Sequence, residues 1–510
     1  MKSLRAEPGR RISWRDVVAG LSVTLVVIPQ SMANAEIAGL PSHHGLWASA
    51  LPPIAAALFA SSPYLQTGPV ALTALLTLGA LTPMAEPGSA DFVGLAALLA
   101  LVVGVVRVAV GFLRVGWLSY LMSWPMLSGF TSAAAILIAS SQLPGAFGAA
   151  APDGSVLMRA WWAVSHPGAW EAMAMGMTVL TVVIVLGARR VHQLVPGVLI
   201  AATLGLIFSA VSDYQGAVVG AIPSGLPPFS LALPWESLPA LILPGIVIAL
   251  VGFAEASSIS RVFAAEERHT WDANREFLSQ GVANLAAGLT GGFPVGGSFA
   301  RSSVNRLSGA TSRWSGFVTG LGVVAFLPFA SVLSPMPKAV LAGIVIAAVV
   351  SLFRPREVLA LWSISRPQVA VGLGTFAFTL ILSPHIEQAV LLGVVMAGAV
   401  HMWRELTPVV ASSREGSTLY LEPSGVLWFG SAPALKDTLL ARLADEPDLE
   451  TVVLRCGGLG RIDVTGAYIL REMLDQARGS GIVMRVEDVP EHAQRVLDAI
   501  KVGTEGPLGP

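Results

Sequence analysis

Apolar stretches long enough to cross a membrane recur along most of this chain. Allowing about 20 residues for a full span and fewer for two half-helices, the pattern predicts about fourteen spans. Beyond about residue 412 the pattern changes, and short strands alternate with helices, which predicts a small sheet with helices packed on it. The predicted spans are residues 17–35, 43–60, 69–83, 92–113, 118–140, 171–188, 194–211, 239–260, 276–291, 297–309, 315–333, 338–352, 368–383 and 387–403.

These patterns divide the chain into a tail over residues 1–15, a transmembrane domain over 16–405 and a soluble domain over 412–502. The Gly- and Pro-rich residues 503–510 are predicted to be disordered. In the soluble domain the predicted strands are 417–422, 426–429, 451–455 and 482–486, and the predicted helices are 433–444, 466–478 and 491–500.

Charge supports a membrane location and gives an orientation. Only 12% of the 510 residues are charged, against about 25% in soluble domains, so most of the chain belongs in lipid. Basic residues concentrate in the N-terminal tail and in alternate loops, and the opposite side receives only Arg159 and Lys338. Since cytoplasmic loops hold Lys and Arg, both termini are predicted to be cytoplasmic, with the protein in the inner (plasma) membrane. Arg107 and Arg301 remain inside predicted spans.

Several kinds of site lack a sequence signature. The one cysteine, Cys456, cannot form an intramolecular disulfide and is predicted to be a core residue. No His, Cys or carboxylate spacing predicts a metal site, and no phosphate-binding loop or dinucleotide fingerprint predicts an ATP-driven pump or a cofactor. No nucleophile and base form a recognisable constellation, so an enzyme is not predicted. The net charge of −1 gives no reason to expect a nucleic-acid partner.

Two apolar segments are broken by Gly and Pro at matching places. One break contains Gly68 and the other Gly297, an offset of 229 residues (297 − 68). Two polar residues in other spans, Gln30 and Glu255, are 225 residues apart (255 − 30). Such pairs indicate a transporter built from inverted repeats, with its site near the bilayer midplane. A helix that starts at such a break points unpaired N–H groups and the positive end of its dipole toward it, so an anion is the expected ligand.

A series of short motifs runs in order along the chain. They are Asp16–Leu21, Ile28–Ala35, Ala38–Pro41, Gly68–Val70, Asp272–Phe277, Gly281, Asn284, Pro294, Gly297–Asn305 and Gly309. Together they resemble the SulP anion permeases, the bacterial and plant relatives of the animal solute-carrier family 26 transporters and of prestin. The C-terminal domain is similar to the STAS domains that end these proteins, so the resemblance covers nearly the whole chain.

The resemblance implies a homodimer whose α-helical membrane unit has seven-plus-seven inverted repeats, divided into a core and a gate domain. The substrate is then expected in the core, between the facing N-termini of the third and tenth spans, and to move by an elevator-like displacement against the gate. Family substrates are small anions such as sulfate, bicarbonate, chloride, oxalate and C4-dicarboxylates, among them fumarate and succinate. The sequence does not separate these anions, because all can use the same dipoles and a cation.

The first span and the first break supply four candidate substrate-binding residues. Gln30 follows Pro29, which interrupts the first span, and its amide can donate a hydrogen bond to an anion. The alternative is that Gln30 bonds a neighbouring helix. Pro69, Val70 and Ala71 are expected to offer backbone N–H groups or open space, a role that is compatible with a simple helix start.

The second break supplies five more candidates. Gly297 and Ser298 are suited to begin a helix, and Ser298 can also offer a hydroxyl. Phe299 is expected to form a wall and Arg301 to place a cation near the substrate. Prestin-like relatives also carry Arg at the position of Arg301, whereas other bacterial members differ, so a wholly structural role stays open. Ala300 stands where the family usually has serine, so coordination by that side chain is lost.

Glu255 is the expected coupling group. A carboxylate inside a membrane span is unfavourable unless it is paired, protonated or in contact with cavity water. The family carries an acidic residue in this span that is linked to cation coupling, so the coupling ion is expected to be a proton, with sodium as the other choice. The alternative is that Glu255 is a structural partner of Arg301 or Arg107.

These features predict a secondary active transporter of small anions that works by proton-coupled symport. Glu255 favours this mechanism because it supplies a titratable group near the site, which a passive channel does not need. An anion exchanger, or a channel-like uniporter, is the alternative.

The soluble domain offers one weak regulatory candidate. Arg461–Gly466 resembles the STAS signature in which the hydroxyl before Gly is phosphorylated in anti-sigma-factor antagonists, and Thr465 holds that place. Phosphorylation is not the favoured expectation, because many transporter STAS domains serve in dimer packing and trafficking. Helix capping is an adequate account of Asp463 and Thr465.

Overall fold

The computed structural model describes residues 12–120, 122–192, 194–350 and 352–499. The chain divides into two units between Val395 and Met396. Most of the predicted N-terminal tail, and the predicted disorder over residues 503–510, lie outside the described residues.

The first unit is helical, and each of the fourteen predicted spans overlaps one of its helices. Two short helices, Val156–Ser165 and Pro355–Leu359, were not predicted, because neither is long enough to give a membrane-length apolar run. The helices are α1 Trp14–Ile37, α2 His43–Phe59, α3 Ala71–Leu81, α4 Ala90–Phe112, α5 Trp124–Phe147, α6 Val156–Ser165, α7 Ala172–Val191, α8 Gly197–Val211, α9 Leu238–Glu266, α10 Ala273–Leu289, α11 Phe299–Leu307, α12 Trp314–Phe326, α13 Lys338–Val349, α14 Pro355–Leu359, α15 Arg366–Ile381 and α16 Ile386–Leu406.

Length and composition make much of this unit suitable for a bilayer. In the described part of the chain, seven helices, including α1, α4, α5 and α7, are long and apolar enough to cross a membrane. Three shorter apolar helices, α3, α8 and α13, add to them. The short α3 is one of the two segments that the sequence predicts to be half-helices.

Two boundaries differ from the sequence prediction. Pro29 does not interrupt the first span, because α1 runs through it from Trp14 to Ile37; membrane helices tolerate an internal proline where neighbouring groups satisfy the freed backbone. The fifth span begins at Trp124 rather than near residue 118, because Gly116–Tyr120 forms a separate 3₁₀ turn. Pro125 then lies in the first turn of α5, where its missing N–H costs no helical hydrogen bond.

The helix starts support the predicted repeat. The starts of α2 and α10 are 230 residues apart (273 − 43), those of α3 and α11 are 228 apart (299 − 71), and those of α4 and α12 are 224 apart (314 − 90). The offset inferred from isolated Gly and polar residues therefore extends over successive helices.

The helices of the first unit pack in two groups. One group contains α1–α4 and α9–α12, in which α10 packs on α4 and α2, and α12 packs on α2 and α1. In the other group α5 packs on α13 and α15, and α7 packs on α13 and α8. Contacts between the groups include α1 against α13 and α3 against α5. This division agrees with a core and a gate.

In its described residues beyond α16, the second unit forms a five-stranded sheet and three helices. Two short strands in the first unit, β1 Thr67–Gly68 and β2 Gly296–Gly297, come earlier in the chain. The elements of the second unit are β3 Val409–Glu415, β4 Thr418–Leu427, α17 Ala432–Asp445, β5 Thr451–Arg455, β6 Leu459–Ile462, α18 Val464–Gly479, β7 Val483–Glu487 and α19 Glu491–Ala499. The strand order is β3-β4-β5-β7, and β6 pairs with β4. The first pair is antiparallel, and β4, β5, β6 and β7 run parallel.

Three features of this sheet differ from the sequence prediction. The two strands predicted at 417–422 and 426–429 form the single strand β4, which continues through Pro423 where its partner changes from β5 to β6. The strands β3 and β6 were not predicted.

Cys456 is a core residue, as predicted, and burial raises the pKa of its thiol to about 12. The thiol is therefore protonated and unreactive at neutral pH.

Candidate functional site

The two broken segments are joined by a short strand pair. β1 and β2 are antiparallel, with Thr67 opposite Gly297 and Gly68 opposite Gly296. The half-helices α3 and α11 begin two to three residues after these strands, so their N-termini start from the same place. Glycine permits the close approach, because a Cβ on Gly297 would lie 2.7 Å from Leu65 Cδ1.

The two half-helices begin differently. Val70 occupies the N-cap position of α3 in an extended conformation, and no side chain caps this helix. Ser298 caps α11, with its hydroxyl accepting from the backbone N–H of Arg301 at 3.5 Å. The first N–H groups of a helix have no partners within the helix. The start of α3 is therefore the less satisfied end, and negative charge is favoured there.

Arg301 lies between the two segments. Its side chain is 1% exposed, and Nη1 donates to the Pro69 carbonyl oxygen at 2.7 Å. Within the described residues, Nε and Nη2 have no hydrogen-bond partner. A Cβ on Gly68 would lie 3.4 Å from Nη2, so glycine keeps this side of the guanidinium open. A buried guanidinium with unused donors is suited to an anionic partner, because a buried charge is costly without one.

The helices α1 and α9 bring the other two candidates to this region. Both α1 and α9 contact α3 and α11, and α9 also contacts β2. The Gln30 Oε1 atom is buried and has no partner in the described part of the chain. Glu255 lies on α9 and Arg301 on α11, and the described residues contain no ion pair within 4 Å between them. Gln30, Glu255 and Arg301 thus lie on three helices, α1, α9 and α11, and α11 packs against the other two.

Arg107 is not a partner of Glu255, although the sequence left that alternative open. Its side chain is fully buried, and its nitrogens donate to the carbonyl oxygens of Ala249 at 3.0 Å, Ile248 at 3.2 Å and Val295 at 2.9 Å. Arg107 therefore connects α4 to α9 and to the residue before β2. Glu255 forms no ion pair within 4 Å with Arg301 either, so neither alternative pairing is present among the described residues in this conformation.

The residues predicted at the start of α11 lie on different faces of that helix. Ser298 and Arg301 are buried, whereas Phe299 is 54% exposed and Ala300 is also exposed. The Phe299 ring stacks on Phe263 of α9, with 6.2 Å between the ring centroids. Residues two apart on a helix do not face each other, so Phe299 and Arg301 do not line one wall in this conformation.

Two supporting residues were not among the predicted site residues. Asn34 Nδ2 donates to the Pro69 carbonyl oxygen at 3.0 Å, and the Thr73 hydroxyl donates to the Pro294 carbonyl oxygen at 2.9 Å. Asn34 lies four residues after Gln30, on the same face of α1. That spacing of two polar residues in an apolar span is the signal that could have identified Asn34.

The capping explanation in the soluble domain holds for one of its two residues. Asp463 is the N-cap of α18 and accepts from the Gly466 N–H at 2.6 Å. Thr465 is exposed in the first turn, and no capping bond from it is found among the described residues. Its hydroxyl is therefore accessible, and phosphorylation stays an untested prediction. Among the described residues, no group of three or more His, Cys, Asp or Glu residues could hold a metal ion.

Comparisons with known proteins agree with this architecture. The Probable sulfate transporter 4.2 of Arabidopsis thaliana is 30% identical over 516 residues, which covers 93% of this chain and 76% of that protein. The Sodium-independent sulfate anion transporter of Bos taurus is 29% identical over 521 residues, which covers 94% of this chain and 85% of that protein. A structure of the murine Solute Carrier 26 family member A9 anion transporter in the inward-facing state has the same fold, with a TM-score of 0.87 at 18% identity, over 96% of this chain and 88% of that one.

Family models match both parts of the chain. The Sulfate permease family model matches residues 14–375, and the Mlab, STAS domain model matches residues 410–509. The first match covers the paired strands, both half-helices and all the residues that approach them. The chain therefore belongs to the Sulfate permease family and carries a STAS domain after its membrane unit.

Proposed function

We propose that this protein is a secondary active transporter of small anions and works by proton-coupled symport. The observation that carries the proposal is the buried Arg301 guanidinium, which lies between two half-helix starts with two unpaired nitrogens. Helix N-termini favour negative charge, and a guanidinium forms paired hydrogen bonds with oxyanions. These elements together favour an anion over a cation or a neutral solute.

The proposed site uses the residues that the sequence indicated. Val70 and Ala71 offer backbone N–H groups at the uncapped start of α3, where Pro69 has none, and Phe299 and Ala300 offer theirs at the start of α11. The Gly297 backbone leads into that start, and the Ser298 N–H already donates to the Gln66 carbonyl oxygen at 3.1 Å. Arg301 supplies the cation, and the Gln30 amide supplies a neutral polar group. Ser298 already caps α11, so its hydroxyl contributes to the helix start first. Phe299 lines the site only if α11 or α9 moves.

Sulfate is the first substrate to test. Relatives along nearly the whole chain are named sulfate transporters. Bicarbonate and C4-dicarboxylates such as fumarate have the same charge-bearing oxygens, and the proposed donors do not distinguish them by chemistry alone. The site then selects among these anions by their size and by the number of negative charges that they carry.

Glu255 is the proposed coupling group. A negative Glu255 near Arg301 repels an arriving anion, and protonation removes that repulsion. Proton binding and anion binding therefore favour each other by the same free energy. The bovine relative is named sodium-independent, which supports a proton over sodium here. Acid outside is expected to drive the anion inward.

The two packed groups of helices support an elevator-like movement. The strand pair and both half-helices belong to the group with α1 and α9, and the other group forms the surface against which they slide. A homodimer in the plasma membrane with both termini in the cytoplasm completes the proposal. Exchange and channel-like uniport are its competing mechanisms.

The test is uptake by the 510-residue chain in liposomes. Labelled sulfate, bicarbonate and fumarate are supplied with and without an inward proton gradient, and protein-free liposomes give the background. We expect uptake of at least one anion, with acceleration by the gradient. Arg301→Ala is expected to abolish most of it, whereas the matched control Arg159→Ala removes an exposed arginine and is expected to have no effect. A folded protein that binds and transports none of these anions contradicts the proposal.

A further inference from the structure

A row of polar residues on α10 contacts the backbone around both strands of the site. Glu276, Gln280 and Asn284 are spaced four residues apart, so they lie on one face of the helix. All three are fully buried. Buried polar side chains in an apolar helix are unfavourable unless they form hydrogen bonds. Each of these three side chains forms a hydrogen bond with a non-helical segment of the chain.

Asn284 binds the residue directly before β2. Its Oδ1 accepts from the Val295 N–H at 3.0 Å, and its Nδ2 donates to the Val295 carbonyl oxygen at 3.1 Å. The side-chain amide thus bonds both polar groups of one residue, as a neighbouring strand does. This pair of bonds fixes the chain as it enters Gly296.

The other two residues bind the chain at and before β1. Gln280 Nε2 donates to the Thr67 hydroxyl at 2.7 Å. Glu276 Oε2 accepts from the N–H groups of Ser61 at 3.0 Å and Ser62 at 2.8 Å. One face of one helix therefore holds the segments that lead into both half-helices.

The first repeat has no such row. With the offset of 230 between the starts of α2 and α10 (273 − 43), the residues of α2 that correspond to Gln280 and Asn284 are Ala50 and Ile54. The helix α10 therefore has polar side chains that hydrogen-bond to the strand segments, whereas its counterpart α2 has apolar residues at the corresponding positions.

We infer that Gln280 and Asn284 are positioning residues that fix the register of β1 against β2 and thereby set the affinity for the anion. They do not touch the substrate. They hold Thr67 and Val295, so that the start of α3 and the Arg301 guanidinium stay at the separation an anion needs. The inference rests on the proposed function for its effect on affinity, but the effect on the strand pair does not.

The test compares variants that remove the hydrogen bonds between α10 and the two strand segments. Gln280→Met and Thr67→Val remove the two partners of one bond, and Asn284→Leu removes the pair on Val295. Thr67→Ser keeps the hydroxyl and serves as the rescue. The matched control is Ser279→Ala, because the buried Ser279 hydroxyl donates to the Ala56 carbonyl oxygen of α2 at 2.9 Å and reaches neither strand.

The first readout is sulfate affinity and transport by the full chain. We expect Gln280→Met and Thr67→Val each to raise Kd and KM about three- to tenfold, the range of one net hydrogen bond. The double variant is expected to match the single ones, because both remove the same bond. Ser279→Ala is expected to lower the melting temperature without changing Kd, and Thr67→Ser to resemble the unsubstituted protein. Equal effects in the control, or additive effects in the double variant, overturn the inference.

The second readout needs no ligand. Hydrogen exchange is measured for the backbone amides of residues 64–73 and 292–301. We expect faster exchange in the first segment for Gln280→Met and in the second for Asn284→Leu, and no change in either for Ser279→Ala. Unchanged exchange in both variants overturns the inference even if affinity falls. If the unsubstituted protein binds no anion, the proposed function fails, and the exchange result still decides this inference.

Discussion

Two arginines inside the membrane unit are equally buried but differ in their hydrogen bonds. Arg107 is 0% exposed and Arg301 is 1% exposed. Arg107 donates to three carbonyl oxygens, whereas Arg301 donates to one and leaves Nε and Nη2 without a partner in the described residues. Burial alone therefore does not distinguish the two arginines, whereas the number of unused hydrogen-bond donors does.

The difference follows from where each residue lies on its helix. Arg107 is on the long helix α4 and reaches carbonyl groups of α9, which have a second lone pair available. Arg301 is in the first turn of the half-helix α11, where the chain has just left an extended strand. Few carbonyl groups point toward a helix start, so its guanidinium keeps donors free.

The largest effect is expected for Arg107. Replacement by Met removes three hydrogen bonds to a charged group, each contributing about 1.5–3 kcal/mol, and separates α4 from α9. We expect little monodisperse protein and a strongly lowered melting temperature, measured by size exclusion and thermal denaturation in detergent. Arg301→Met is the matched variant and is expected to fold. Arg107→Met protein that melts like the unsubstituted protein would contradict the structural role.

Blocking the half-helix starts is expected to abolish anion binding in folded protein. Ala71→Glu places a negative charge at the uncapped start of α3. Gly297→Trp displaces Leu65 and Ala256, which would lie 2.7 Å and 3.0 Å from a Cβ at that position, and so disturbs the start of α11. Ala71→Gln has a similar size without the charge and is expected to retain part of the binding. Isothermal titration with sulfate gives the comparison. Normal binding by Ala71→Glu and Gly297→Trp would place the site elsewhere.

Removing the Arg301 guanidinium is expected to weaken binding by at least about tenfold, since one hydrogen bond to a charged group is worth about 1.5–3 kcal/mol. Arg301→Lys should restore part of it, because it returns the charge without the planar pair of donors. The melting temperature without anion is expected to change little, since Pro69 also accepts from Asn34. Sulfate affinity that is equal in Arg301→Ala and the unsubstituted protein would make Arg301 structural, like Arg107.

Glu255→Gln is expected to alter coupling and leave binding intact. Gln resembles the protonated carboxylic acid, so the anion should still bind and exchange across the liposome membrane. Acceleration by an inward proton gradient should be lost, because no proton can then be taken up with the anion. If the gradient response of the Gln variant is unchanged, Glu255 has no coupling role, and exchange or uniport is the better mechanism.

The smallest effect is expected from removing the soluble domain. A truncation near Ser412, the boundary that the sequence suggests, would cut through β3, so the chain is better ended after Leu406, the last residue of α16. All proposed site residues precede residue 310. We expect lower expression or a lower transport rate with unchanged sulfate affinity. Loss of binding by well-folded truncated protein would assign the soluble domain a part in the site.

The sequence was sufficient to locate the membrane helices, both half-helices and their matched positions. These features depend on local chemistry, because an apolar run of membrane length and a Gly or Pro break act on neighbouring residues. The capping of α11 by Ser298 and the burial of Cys456 were predictable for the same reason. The repeat offset was also available, since it needs only the spacing of similar residues.

Only the tertiary structure assigned the hydrogen-bond partners. Arg301 donates a hydrogen bond to Pro69, which is 232 positions away in the sequence, and Arg107 donates one to Val295, which is 188 positions away. The polar row on α10 is similarly distant in sequence from the strand that it contacts, since Gln280 donates to Thr67, which is 213 positions away. No periodicity or propensity encodes which distant carbonyl a buried donor will reach, because that depends on how whole helices pack. The sequence could therefore identify two arginines in the membrane, and only their packing showed that the described residues use the donors of Arg107 and leave two nitrogens of Arg301 without a partner.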